Sequence, residues 1–399
     1  MDSYPLPNIT HLQKEKYQTS SFKSLVIYSF AIFAMFFGSG NLVFPLQIGV
    51  AAGTNWIWSL LGLGITGILL PFLGLFVIKL YKGNYYNFFA EAGLCTKLLL
   101  PFFILSLLGS FGVVPRCITV AYGGISVLCP EITLAQFSAI FCVITYVLCL
   151  KDKAMVKAIG KWMTPILLLA LIMLIVIGIF YSPSITQKIP KEEALMKGLL
   201  TGYQTMDLLA AFFFSSFIFT QIKEGIPQLK GDKAVAQFAI KSSLIGALLL
   251  ILIYAGFVFL GARYSFLVAN IAPELFLPTI AQYTMGNNAT LLVCIAITFS
   301  CLTTAIALNN IYAKHLCGIL RLQLAKFPWI LLITTAISFV VSLQDFSGIA
   351  KILVPILTIA YPAIIALTLL CIFTNTNKTF KTVIFYLITF FMIYKVIAT

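Results

Sequence analysis

Only 12 of the 399 residues are Asp or Glu, only two are histidine, and all charged residues together make up 10% of the chain. An ordinary soluble domain carries about 25% charge, so the shortage of surface-forming residues excludes a water-exposed globule. The histidines stand alone at His11 and His315, with no His-Glu-x-x-His spacing and no paired carboxylates, which leaves a membrane-embedded enzyme without acid–base groups. Nine cysteines occur, at 95, 117, 129, 142, 149, 294, 301, 317 and 371, with no Cys-x-x-Cys spacing, and most lie in apolar stretches. They read as small hydrophobes.

What the chain has instead is apolar length: 61% of it is hydrophobic, with 35 Phe and a mean hydropathy of +1.03. That is more apolar surface than one core could hide from water, so an integral membrane protein is expected, with the lipid bilayer as its solvent. The formal charge of +14 would suggest nucleic acid in a soluble protein. Here the basic residues sit between apolar runs, the pattern that orients a chain across a bilayer, and no nucleic-acid partner is expected.

Charge-free runs of about 20 residues mark candidate spans. Eleven result, near 25–48, 56–78, 99–128, 132–150, 162–181, 198–221, 239–262, 288–312, 327–344, 350–373 and 381–397. A polar insert from Ser182 to Lys197 separates the first five from the rest. With the N-terminus inside the cell, Lys14, Lys16, Lys23, Lys79, Lys82, Lys97, Lys151, Lys153, Lys157 and Lys161 all fall on inner segments. So do Lys223, Lys230, Lys233, Lys241, Lys314, Arg321, Lys326, Lys378 and Lys381, whereas only Lys188, Lys191, Lys197, Arg263 and Lys351 fall outside. An N-inside multi-pass protein with no cleaved targeting segment is predicted. The expected organisation is a cytoplasmic tail (1–24), two five-helix halves (25–183 and 184–374) and an additional C-terminal helix (375–399).

Three runs carry chemistry. Helix 1 contains Gly38, Ser39, Gly40 and Asn41, followed by Pro45, which weakens a continuous helix and predicts an unwound segment. Such a break at membrane depth is tolerated where an ion or substrate fills the gap; the competing account is a close-packed helix contact. Helix 6 contains Asp207, the only carboxylate well inside a span, beside Met206, Leu208, Leu209 and Phe212. An ionised Asp at the bilayer centre costs about 2.5 to 3.5 kcal/mol. Asp207 therefore faces either a permeating cation or ammonium group, or Arg116, the only basic residue deep in a span. Helix 8 places hydroxyls at 300, 303 and 304 on one face, a set of hard oxygens suited to an alkali cation unless they bond back to their own helix. Two broken helices at corresponding positions of two halves point to a transporter with inverted repeats and a midplane site. A channel is disfavoured, because these residues lie on too few helices to form a ring.

The stretches FAMFFGSGNLVFPLQIG (33–49), Pro115-Arg116, GYQTMDLLAA (202–211), CLTTAIA (301–307) and Tyr361-Pro362 resemble the bacterial branched-chain amino acid:cation symporters, the LIVCS family, over nearly the whole chain. The resemblance implies an all-α, leucine-transporter-type bundle of five plus five inverted helices, with helices 1 and 6 discontinuous, in the bacterial inner membrane. It implies uptake of leucine, isoleucine and valine with sodium as the coupling ion and no other cofactor. Gly38, Ser39 and Gly40 would then offer backbone N–H groups to the substrate carboxylate and Asn41 an oxygen near it. The residues beside the helix 6 break, Met206, Asp207, Leu208 and Phe212, are by themselves expected to meet the rest of the substrate, the apolar ones its side chain. The carbonyls of Ala34, Phe37 and Ser300 and the hydroxyls of Thr303 and Thr304 would bind sodium. The family usually has twelve helices, one more than the eleven expected here. Helix 7, around Ser242 to Gly261, has no Asn or Asp for an additional sodium site.

Overall fold

The computed structural model describes residues 11–150, 163–185, 189–226, 229, 231–374 and 376–398, without the side chains of 11–21, 232, 288 and 324. Lys151, Lys153, Lys157, Lys161, Lys188 and Lys230, which entered the orientation reading, lie outside it. The described residues form helices and no strands, as hydrocarbon requires when backbone amides must be satisfied within each segment.

Helix 1 is two pieces, α1 (His11–Phe36) and α2 (Ser39–Ala52), bent by 68°. α3 (Trp56–Gly64) runs through a π turn, Ile65–Leu69, into α4 (Leu70–Leu80). A short α5 (Tyr85–Phe89) precedes α6 (Leu94–Leu108) and α7 (Val113–Leu128), followed by α8 (Leu134–Cys149) and α9 (Thr164–Phe180). The second half opens on another bent pair, α10 (Lys191–Gln204) and α11 (Asp207–Gly225), at 44°. α12 (Asp232–Arg263), α13 (Phe276–Ile319), α14 (Phe327–Ser342), α15 (Asp345–Phe373) and α16 (Lys378–Ala398) complete it.

Four features depart from the expected spans. The 99–128 run is not one helix: Gly109 and Gly112, with Ser110 and Phe111 between them, part α6 from α7. Helix 1 reaches back to His11, and the second half of the polar insert is already helical from Lys191. α13 is longer than the 288–312 run, with a kink at Gly286, whose φ of 74° suits glycine.

α1 and α2 lie on α12, α3 on α10, and α4 on α11, while α7 pairs with α13 and α8 with α14. Glycine makes the two central seams. A Cβ on Gly49 would stand 2.1 Å from the Val258 carbonyl, and one on Gly261 2.2 Å from that of Leu46, so α2 and α12 touch backbone to backbone. The seam between α3 and α10 repeats this with Gly62 and Gly198, whose Cβ atoms would meet the Leu195 and Ser59 carbonyls at 2.4 and 2.1 Å. Such contacts replace the hydrophobic drive that is lacking in lipid. Helix 1 touching helix 7 and helix 6 touching helix 2 are the same contact in two inverted halves. Outside these seams large apolar side chains stay exposed, Leu169 at 65% and Leu248 at 65% among them, as a lipid-facing surface requires. α16 docks by Lys381 Nζ on the Glu91 carboxylate at 2.8 Å and by the Thr382 hydroxyl donating to the Glu91 carbonyl.

Candidate functional site

Three interruptions meet at one level of the bundle. Between α1 and α2, Phe37 and Gly38 leave the helix, and the Gly38 N–H donates to Asn41 Oδ1 at 3.2 Å, so Asn41 caps α2. Ser39 and Gly40 occupy the first turn of α2, where backbone N–H groups have no partner within the helix. Between α10 and α11, Met206 takes a φ of 63°, the left-handed region that non-glycine residues adopt at a cost, commonly at functional positions. Asp207 then begins α11, where the helix dipole favours a carboxylate. The third interruption, between α6 and α7, is pinned by the Ser110 hydroxyl donating to the Thr334 carbonyl of α14 at 2.7 Å.

A small, nearly filled pocket lies among them. Its polar wall is Gly38, Ser39, Gly40, Asn41, Thr205, Asp207 and Thr304, and its apolar wall includes Met206, Ala210, Phe214, Leu108, Val113 and Leu308. Asn41 is 1% exposed and Asp207 4%, so the site is closed off from both ends of the bundle. Asn41 Nδ2 donates to Asp207 Oδ2 at 2.7 Å and to the Tyr254 hydroxyl, which in turn donates to Asp207 Oδ2 at 3.3 Å. One carboxylate thereby ties together both broken helices and α12.

Arg116 does not pair with Asp207: among the described residues it makes no ion pair. Its Nη1 donates to the Gln204 carbonyl at 3.1 Å, serving the C-terminal end of α10 where a cation is favoured. Its guanidinium lies 5.5 Å from the Phe44 ring centre and 5.9 Å from that of Phe346. Arg116 thus sits in a layer of cation and aromatic rings at the C-terminal end of α10.

The hydroxyls of α13 decide between their two readings. Ser300 donates to the Phe37 carbonyl, and Thr304 to the Ala34 and Met35 carbonyls at 3.3 and 3.4 Å. Both cross to the frayed end of α1 and do not bond back. Thr303 divides its contacts, 3.4 Å to the Ala34 carbonyl and 2.9 Å to that of Ser300 on its own helix. Ala34, Phe37, Ser300, Thr303 and Thr304 therefore form one cluster of neutral oxygens beside the break, all buried. Neutral hard oxygens in this number fit an alkali cation, and the described residues hold no group of three His, Cys, Asp or Glu for a transition metal.

Of the helix 6 residues expected at the substrate, Leu208 and Phe212 do not line this pocket. Leu208 and Phe212 face α4 around Gly74, and Phe212 packs its ring on Phe88 and Phe89. With α11 starting at Asp207, residues 207, 210 and 214 share one helical face and 208 and 212 another, so Ala210 and Phe214 take their place. Tyr254 is absent from the residues the sequence points to, although it is the only hydrogen-bonding side chain between Ser243 and Arg263. That isolation is the signal that could have found it.

A family model described as branched-chain amino acid transport protein matches residues 21–399. The branched-chain amino acid permease BraB of Bacillus subtilis (strain 168) is 30% identical over 372 residues, covering 90% of this chain and 81% of the permease. The permease BrnQ of Corynebacterium glutamicum is 27% identical over 351 residues, 87% of this chain and 80% of BrnQ. Among solved structures, Mhp1, a nucleobase-cation-symport-1 family transporter in a closed conformation, aligns with a TM-score of 0.62 at 16% identity, covering 86% of this chain and 76% of Mhp1. A Na+-coupled sialic acid symporter in an outward-open state aligns with a TM-score of 0.58 at 11% identity, covering 92% and 88%. The fold is thus a leucine-transporter-type helical bundle.

Proposed function

The chain belongs to the branched-chain amino acid transport protein family, and from that premise we propose that it imports leucine, isoleucine or valine together with sodium by alternating access. The coarser part, branched-chain amino acid transport by a multi-pass membrane protein, follows from the family and from the long apolar helices, and it involves no enzymatic step. The observation that supports the finer part is the enclosed cavity, where the bare amide end of α2 and the Asp207 carboxylate share one small space with an apolar wall. In this reading the N–H groups of Ser39 and Gly40 hold the substrate carboxylate, helped by the Gly38 N–H once Asn41 turns away. Asp207 accepts the ammonium group, and Met206, Ala210 and Phe214 surround the branched side chain. Sodium takes the oxygen cluster of Ala34, Phe37, Ser300, Thr303 and Thr304, replacing hydroxyl-to-carbonyl bonds between α1 and α13 and so fixing the end of the moving half-helix to the layer behind it.

Uptake of labelled leucine into proteoliposomes tests this reading. Saturable uptake that needs an inward sodium gradient, and that persists when choline replaces all other cations, is the expected result. Uptake that follows a pH gradient without sodium would assign the coupling to a proton. Excess unlabelled isoleucine and valine should compete at concentrations similar to leucine, whereas lysine and glutamate, whose second charge would be buried without a partner, should compete poorly. Equal displacement by lysine would remove the apolar-pocket argument.

We further propose a bacterial inner-membrane location with the N-terminus in the cytoplasm, and halves spanning 25–183 and 184–374. Impermeant thiol labelling of intact cells should then modify Lys191→Cys but not Lys153→Cys, each in a background in which the exposed native cysteines, Cys95 and Cys129, are replaced. The opposite pattern inverts the topology.

A further inference from the structure

Away from the central cavity, two clefts adjoin on the side of the bundle built from α4, α11 and α12. One is lined by Lys79, Lys82, Lys223 and Lys233. The other is apolar, lined by Phe72, Leu75, Phe76, Ile218, Ile240 and Leu244 among others. They share Lys79 and Phe219. The Lys79 ammonium lies 5.6 Å from the Phe76 ring centre, so its stem follows the apolar wall while its charge meets the basic cleft.

A bias of lysine toward one membrane face explains the sign of these charges but not their convergence from three helices on one cleft. Two of the four lysines also sit against local preference. Lys233 stands in the first turn of α12, where the helix dipole disfavours a cation. Lys82 has a φ of 56°, a position at which glycine or asparagine costs less. The apolar cleft opens to lipid, with Phe76 38% and Leu244 58% exposed.

We propose that the paired clefts bind one anionic glycerophospholipid, its phosphate held by Lys79, Lys82, Lys223 and Lys233 and one acyl chain lying along Phe76, Ile240 and Leu244. A soluble anion would use the basic cleft alone. Only an amphiphile with a negative head uses both, and the shared Lys79 and Phe219 place head and chain the one connection apart that such a lipid has. The site is separate from the substrate and cation residues, so its failure would leave the transport reading untouched.

Thermal unfolding of the full-length protein in detergent, with added phosphatidylglycerol, phosphatidylcholine or glycerol 1-phosphate, tests the proposal. Phosphatidylglycerol should raise the melting temperature by about 3 °C or more, and the other two should not. The triple variant K82Q/K223Q/K233Q should lose most of that rise while melting like the parent in phosphatidylcholine. Should that variant fail to fold, K82Q alone, on the exposed turn after α4, carries the same test. I240Q/L244Q should lose the rise with every lysine intact, and native mass spectrometry should show one retained phosphatidylglycerol fewer. Equal stabilisation by glycerol 1-phosphate, or an undiminished phosphatidylglycerol effect in both sets of variants, would overturn it.

Discussion

Thr304→Val should raise the sodium concentration needed for half-maximal leucine uptake by roughly 10- to 150-fold, the equivalent of losing one charge-assisted contact of about 1.5 to 3 kcal/mol. Valine keeps the shape of threonine and removes only the oxygen that now reaches the Ala34 and Met35 carbonyls. The crossing of that hydroxyl from α13 to α1 makes the prediction specific, since a threonine bonded to its own helix would be a structural spacer. Thr368 supplies the control: equally buried, it donates only to the Ile364 carbonyl four residues earlier, at 2.8 Å. Thr368→Val should leave sodium dependence as it is. Thr303→Val should act in the same direction as Thr304→Val with a smaller change, because its shorter contact is to Ser300 on its own helix. At saturating sodium the KM for leucine should return close to the parent value in each variant. Sodium curves that superimpose for the parent and both cluster variants would remove the cation from this site.

The sequence made the breaks in helices 1 and 6 legible because Gly38-Ser39-Gly40 and a lone membrane carboxylate are local signals that require no partner to be noticed. The break between α6 and α7 carries a local signal as well, Gly109 and Gly112 in an apolar run of thirty residues whose single charge is Arg116, but counting apolar length treats glycine as neutral. Leu108 and Val113, the residues flanking it, line the cavity, so a third of the site's framework was hidden by that counting rule. Leu208 and Phe212 show a different limit. Both lie on helix 6 as expected, but which face of α11 points inward is set by the backbone phase at Met206, and its left-handed φ is a tertiary compromise without a composition signature. Arg116 and Asp207 show a third. Opposite charges in hydrocarbon are expected to find one another, yet each found a stronger local claim, Arg116 the exposed carbonyl end of α10 and Asp207 the amide of Asn41.

The arrangement around Asp207 leads to the other large effect, that Asp207→Asn should raise the KM for leucine roughly 10- to 150-fold at saturating sodium, through loss of a charge-assisted bond to the substrate ammonium worth about 1.5 to 3 kcal/mol. Asparagine is isosteric and can still accept from Asn41 Nδ2 and the Tyr254 hydroxyl, the two donors that position the carboxylate, so the junction of α2, α11 and α12 should persist. A purely structural role for Asp207 would show itself as a lowered melting temperature with little change in substrate preference. The ammonium role makes a sharper demand, tested with 4-methylpentanoate, which is leucine without its amino group. The parent should bind leucine far more tightly than this analogue, and in Asp207→Asn the ratio of the two affinities should collapse toward one, chiefly because leucine binding weakens. Tyr254→Phe removes one donor from the carboxylate without changing its charge, so it should move KM by only a few-fold and leave the ratio high. If Asp207→Asn preserves the leucine-to-analogue ratio while uptake falls, the carboxylate is a strut between the broken helices, and the ammonium must be held by the unwound carbonyls alone.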